Sequence, residues 1–142
     1  FGYTTFKKKQ LSSLTKICKS LIKKYKIKKR NIVGHSDIAP LRKIDPGEKF
    51  PWKQLANNKI GIWHNCKSSL LRQYRNIKIL EKKDKIKFIK NLNKIGYCFS
   101  TKKKSFLVKI MKAFQRHHRP ELINGHADKE CLIIAQNLSK KL

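Results

Sequence analysis

The chain has 142 residues and a mass of 16.7 kDa, with 36 Lys and Arg against 8 Asp and Glu and a formal charge of +28. That length holds one ordinary domain or two small ones, and the 39% of apolar residues recur at spacings that argue for a modest core and against wholesale disorder. No run of about 18 apolar residues occurs, which excludes a membrane-spanning helix from the sequence as given.

From Leu11 onward, Leu14, Ile17, Cys18, Leu21, Ile22 and Tyr25 recur at three- and four-residue steps, while Lys16, Lys19, Lys23 and Lys24 fall on the other side. That is the pattern of an amphipathic helix. After the polar break at 28–31, the β-branched run Ile32-Val33-Gly34-His35 reads as a short buried strand ending in a polar residue. Pro40, Pro46, Gly47 and Pro51 forbid regular structure from Asp37 to Phe50. A loop of that size inside a small domain is usually functional. Pro51-Trp52-Lys53-Gln54-Leu55 reopens a helix, with the proline where its missing N–H does no harm.

Residues 66–83 are polar and basic and read as a linker with some ordered docking. Three helical patterns follow it. Ile86, Ile89, Leu92 and Ile95 carry the first, Leu107, Ile110, Met111 and Phe114 the second, and Leu132, Ile134, Ala135 and Leu138 the third. Gly96 is placed to cap the first at its C-terminus, and Asp128 to cap the last at its N-terminus.

The basic residues are 30 Lys and only 6 Arg, scattered along the whole chain. Lys, Ile and Asn are abundant together, the bias an A+T-rich coding sequence imposes on permissive surface positions. A true attraction for an anionic partner remains the alternative. Specific readers of bases favour Arg, and aromatic residues are not interleaved with the basic ones as in single-strand binders, so no specific nucleic-acid site is expected. Cys18, Cys66, Cys98 and Cys131 lie far apart, without C-x-x-C spacing, and read as free or buried thiols.

The chemistry concentrates in His35-Ser36-Asp37-Ile38-Ala39-Pro40-Leu41-Arg42-Lys43-Ile44-Asp45-Pro46-Gly47. A loop of this kind can bring His35 and Asp45 to one point, and imidazole and carboxylate are both competent zinc ligands. Lys43 would then stand beside them as a fixed positive charge for a developing oxyanion. Spacing alone equally allows a histidine bonded to a loop carbonyl and an aspartate capping the turn at Pro46-Gly47. His117 and His118, adjacent in one helical pattern, point to different sides and read as solvated positions near a helix end. Nothing ties His64 to His35. There is no G-x-S-x-G elbow and no Gly-rich phosphate loop.

The strings Gly34-His35-Ser36-Asp37-Ile38-Ala39-Pro40, Arg42-Lys43, Asp45-Pro46-Gly47 and Phe50-Pro51-Trp52 strongly resemble the C-terminal signature of zinc-dependent N-acetylmuramoyl-L-alanine amidases of the AmpD type. The second half, with Ala113-Phe114-Gln115, Arg119-Pro120 and Asn124-Gly125-His126-Ala127-Asp128, resembles the three-helix peptidoglycan-binding domain that some of these enzymes carry. The resemblance implies an α/β fold, the C-terminal portion of a mixed-sheet amidase domain over residues 1–65. A linker over 66–83 and an all-α three-helix domain over 84–142 would follow it.

It further implies zinc ligation by His35 and Asp45, with Lys43 stabilising the tetrahedral intermediate. The reaction would be hydrolysis of the amide between N-acetylmuramic acid and the L-alanine of the stem peptide. The partner would be peptidoglycan or muropeptides, in the periplasm or envelope of a bacterium, with the cytoplasm as alternative. Ser36, Asp37, Arg42 and Trp52 would shape the loop and pack. The family's first histidine ligand and its glutamate base would precede Phe1, so the sequence reads as the C-terminal piece of something longer or processed. The alternatives are an inactive remnant that at most binds peptidoglycan, and a basic nucleic-acid binder.

Overall fold

A computed structural model describes residues 4–79, 81–97 and 104–142. Helix α1 spans Lys8–Tyr25, and a single 3-10 turn, Lys29–Asn31, leads to the one-turn helix α2, His35–Ile38. Helices α3, Trp52–Asn57, and α4, Ser68–Tyr74, are short. The longer α5, Lys82–Ile95, α6, Lys104–His118, and α7, Lys129–Ser139, complete the chain. Helix α7 packs on α4 and α5, while α6 packs on α2 and α3.

The expected α/β architecture is not what forms. No strand or sheet exists among the described residues, and the single ladder contact there is an isolated antiparallel bridge between Lys78 and Asp128. Ile32 is extended, with φ −100° and ψ 103°, and so is Gly34, but His35 already opens α2. An extended segment becomes a strand only when a neighbouring strand takes its N–H and C=O groups. Here the Gly34 N–H goes to the Asp37 carboxylate and the Ser36 N–H to the Asp45 carbonyl. A β-branched run therefore ends as a connector between helices.

Two apolar clusters hold the molecule. The smaller gathers Trp52, Leu55 and Ile60, with Leu14, Cys18 and Ile22 of α1 laid against them. The larger joins Leu71 of α4, Phe88 and Leu92 of α5, Ile110, Met111 and Phe114 of α6, and Leu132, Ile134 and Leu138 of α7. Each fully buried side chain of this kind contributes about 1.5–3 kcal/mol relative to exposure. The helix ends follow the local chemistry. Gly96 caps α5 at φ +116°, a conformation that suits glycine, and the Asp128 side chain accepts from the Cys131 N–H at the start of α7. Cys18, Cys66 and Cys131 are free thiols, and burial pushes Cys131 up to about 12. Cys98 lies outside the described residues. No described helix is long and apolar enough to cross a membrane.

Candidate functional site

The loop from Gly34 to Pro51 folds back on itself and sets its two ends side by side. Ser36 donates its backbone N–H to the Asp45 carbonyl at 2.9 Å, and Lys43 donates its own to Ala39 at 3.0 Å. His35 and Asp45 are thereby brought together, with Nδ1 of the imidazole 3.2 Å from Oδ2 of the carboxylate. Both side chains stay about half exposed, at 45% and 53%, so a ligand can reach them. Lys43 lies half-buried in the same loop, two residues before Asp45.

Gly34 has a steric reason to be glycine. A Cβ at that position would lie 2.9 Å from Pro46 Cδ, 3.1 Å from Trp52 and 3.2 Å from the Asp37 carboxylate. The absent side chain lets the cis Asp45-Pro46 bond, the Trp52 indole and Asp37 crowd against the backbone next to His35.

Asp37 is 9% exposed and accepts three hydrogen bonds. Oδ2 takes the Gly34 N–H at 2.7 Å and His117 Nδ1 at 2.6 Å, and Oδ1 takes the Tyr97 hydroxyl at 2.5 Å. Burial, then the Asp37 charge, raises Tyr97 well above the usual phenol range. The expected solvation of His117 and His118 is overturned: they are 3% and 2% exposed, with parallel rings 4.0 Å apart. His117 also stacks on Trp52 at 3.9 Å. The packing of 34–64 onto the end of α6 covers them, a long-range event that helical spacing does not report. Burial, then the neighbouring His117 and His64, hold His118 well below the ordinary histidine value. His64 stacks on Trp63 at 5.0 Å and is lowered by burial.

A second polar centre joins α4, the segment after α6, and α7. Arg75 grips Glu130 through two bonds of 2.7 and 2.8 Å, and the fully buried Arg119 reaches Asp128 at 2.6 Å and Glu130 at 3.0 Å. Gln115 braces the turn at 124–126, donating to Asn124 and the His126 carbonyl and accepting from the Gly125 N–H. Sequence reading marked Arg119, Gln115 and Asp128 but not Arg75 or Glu130, whose pairing spans 55 positions.

As a metal centre the loop is partial. His35 and Asp45 have the donor chemistry of a zinc site and the exposure to receive an ion. A catalytic zinc takes three protein ligands and an open position, and among the described residues no group of three or more His, Cys, Asp or Glu is placed to hold one.

In sequence and in fold the chain is similar to N-acetylmuramoyl-L-alanine amidases of the AmpD type. Residues 1–48 match the family model described as N-acetylmuramoyl-L-alanine amidase. A relative aligned over nearly the whole chain is the N-acetylmuramoyl-L-alanine amidase AmiD of Escherichia coli, 35% identical over 147 aligned positions that cover 98% of this chain and 50% of AmiD. The 1,6-anhydro-N-acetylmuramyl-L-alanine amidase AmpD of Haemophilus influenzae is 50% identical over 46 residues, 32% of this chain and 25% of that protein. Among solved structures, E. coli AmiD in complex with anhydro-N-acetylmuramic acid-L-Ala-D-gamma-Glu-L-Lys superposes with a TM-score of 0.82 at 34% identity, over 96% of this chain and 53% of AmiD. Pseudomonas aeruginosa AmpDh3 does so with 0.82 at 30% identity, over 99% and 56%. The chain thus spans about half the length of AmiD.

Proposed function

We propose that this chain carries part of the active site of a zinc-dependent amidase. The enzyme would hydrolyse the bond between N-acetylmuramic acid, in its anhydro form or not, and the L-alanine of the stem peptide. The observation that carries the reading is the contact of His35 with Asp45 inside a loop of amidase sequence. The neighbouring AmiD structure, which holds an anhydromuramyl peptide, supports it.

His35 and Asp45 are the two donors for the ion, and Lys43 is the fixed cation facing the charge that develops on the attacked carbonyl oxygen. Bound zinc supplies Lewis acidity and a nucleophile usable at neutral pH. Asp37, Gly34 and Trp52 hold the loop that presents these residues. Residues 84–142 serve as the peptidoglycan-binding part, and muropeptides of the bacterial envelope are the partners. The excess of lysine gives the surface a sign that suits an anionic wall.

Two protein donors hold zinc weakly, so the 142-residue chain by itself is expected to bind the ion loosely and release no peptide. Stoichiometric, tightly held zinc in that chain would contradict this. The product as its cells make it is the material for the decisive test, and its intact mass against 16.7 kDa shows whether further residues accompany these. In that product, His35→Ala and Asp45→Ala are expected to abolish release of the stem peptide from an anhydromuramyl peptide, read by mass spectrometry. Lys43→Ala is expected to lower kcat about 10²–10³-fold. Undiminished release by His35→Ala would overturn the assignment.

A further inference from the structure

The buried Asp37 is used more heavily than loop shape requires. We infer that Asp37 is the positioning residue of the His35/Asp45 loop, and that the helical second half, through Tyr97 and His117, sets the geometry of that loop instead of serving only as a separable binding module. The inference rests on the reading of His35 and Asp45 as metal donors.

The three donors to Asp37 come from three places in the chain. The Gly34 N–H immediately precedes His35, Tyr97 follows α5, and His117 lies in the last turn of α6. The Gly34 bond fixes the entry into α2, whose first residue is His35. The next residue, Ser36, ties its N–H to the Asp45 carbonyl. One carboxylate therefore controls the backbone from which both candidate donors project. A buried carboxylate deprived of donors is strongly unfavourable, so the loop cannot leave Tyr97 and His117 without leaving this conformation.

The donors are themselves immobilised. His117 is stacked on Trp52 at 3.9 Å and on His118 at 4.0 Å, with interplanar angles of 17° and 16°. Tyr97 is 4% exposed and packs edge-on against Phe114 at 5.6 Å. A further tether runs from Lys109 Nζ on α6 to the Leu41 carbonyl at 3.0 Å. Side chains that orient metal ligands typically change metal affinity 10–100-fold when removed, and a misplacement of about 1 Å at a reacting centre lowers rate about 100-fold. Coupling of that size is expected here.

The test uses the full 142-residue chain with Zn²⁺ alone as the probe. Tyr97→Phe removes one donor and keeps the ring, and Asp37→Asn keeps the shape and removes an acceptor. Leu132→Ala loosens the larger core, to which Tyr97 also belongs, without removing any donor to Asp37, and His35→Ala gives the blank for Zn²⁺. Two quantities are read by NMR: the hydrogen exchange of the Ser36 amide, which reports closure of the loop, and the Zn²⁺ dependence of the His35 ring signals.

Tyr97→Phe and Asp37→Asn are expected to speed Ser36 exchange at least about tenfold and to weaken Zn²⁺ binding by about 10–100-fold, with the α7 amides unchanged. Leu132→Ala is expected to do the reverse, exposing α7 amides while leaving Ser36 and Zn²⁺ as in the wild type. Wild-type Ser36 exchange in both Asp37-cluster variants would overturn the proposal. So would an equal loss in Leu132→Ala, which would make the cluster a general structural contact. If the wild-type chain binds no more Zn²⁺ than His35→Ala, the zinc reading fails by itself, and Ser36 exchange still decides whether Asp37 positions the loop.

Discussion

Helices α1 and α7 carry the same kind of amphipathic pattern and end in opposite situations. The 11 residues of α7 include seven buried ones, among them Ile134, Ala135 and Leu138, whereas the 18 residues of α1 include none. Helix α7 is enclosed by α4 and α5. Only the strip Leu14, Cys18 and Ile22 of α1 meets a cluster, and Ile17, Leu21 and Tyr25 on its flank remain 58%, 43% and 61% exposed. Periodicity therefore tells which face of a helix is able to bury, and the surface available opposite it decides how much does.

The largest expected effect lies in the enclosed region. Arg119→Ala leaves the Asp128 and Glu130 carboxylates buried without their shared partner, and a loss of about 3–5 kcal/mol is expected by urea denaturation. A loss near zero would mean that this centre is far wetter than its burial indicates.

A smaller effect concerns pH at the junction of the two regions. His118 is held well below the ordinary value of 6.5 by burial and by His117 and His64. Its contribution to stability is complete above pH 6.5 and is lost as pH falls below it, because the unfolded chain takes up the proton first. The slope is up to about 1.4 kcal/mol per pH unit for one such group. His64, shifted in the same direction, adds to it. His118→Asn should flatten the acid limb of a stability-versus-pH curve, and an unchanged limb would remove His118 as its source.

The smallest effect belongs to the open face of α1. Ile17→Lys should change stability by no more than about 0.5 kcal/mol, against several kcal/mol for Phe114→Ala in the larger core. A large loss from Ile17→Lys would show that this face is covered in solution and would erase the contrast between the two helices.

Much of the helical plan is legible in the chain itself. The periodic stretches became α1, α5, α6 and α7, and Gly96 and Asp128 cap as their residue types dictate. The assignment of Asp37 and Trp52 to loop shape and packing agrees with their burial. The run Ile32-Val33-Gly34-His35 misled because β-branched residues record a preference for extension, whereas a strand also needs a partner. His117 and His118 misled for a related reason: adjacent polar residues near a helix end are usually solvated, and only the folding of 34–64 against α6 buries them.

By itself the sequence determined the four long helices α1, α5, α6 and α7, the caps at Gly96 and Asp128, and the proline-rich loop that carries His35, Lys43 and Asp45. Each of these follows from propensity, capping or short-range sterics acting within a few residues. Tertiary structure alone decided that residues 32–34 pair with no strand, that Tyr97 and His117 close on Asp37, and that Arg75 and Arg119 share Glu130. The Arg75, Tyr97 and His117 contacts join groups 55 to 80 positions apart, and Arg119 meets Glu130 across 11. Their energy comes from burying charges and rings against one another, and no local pattern records which distant partner will be there.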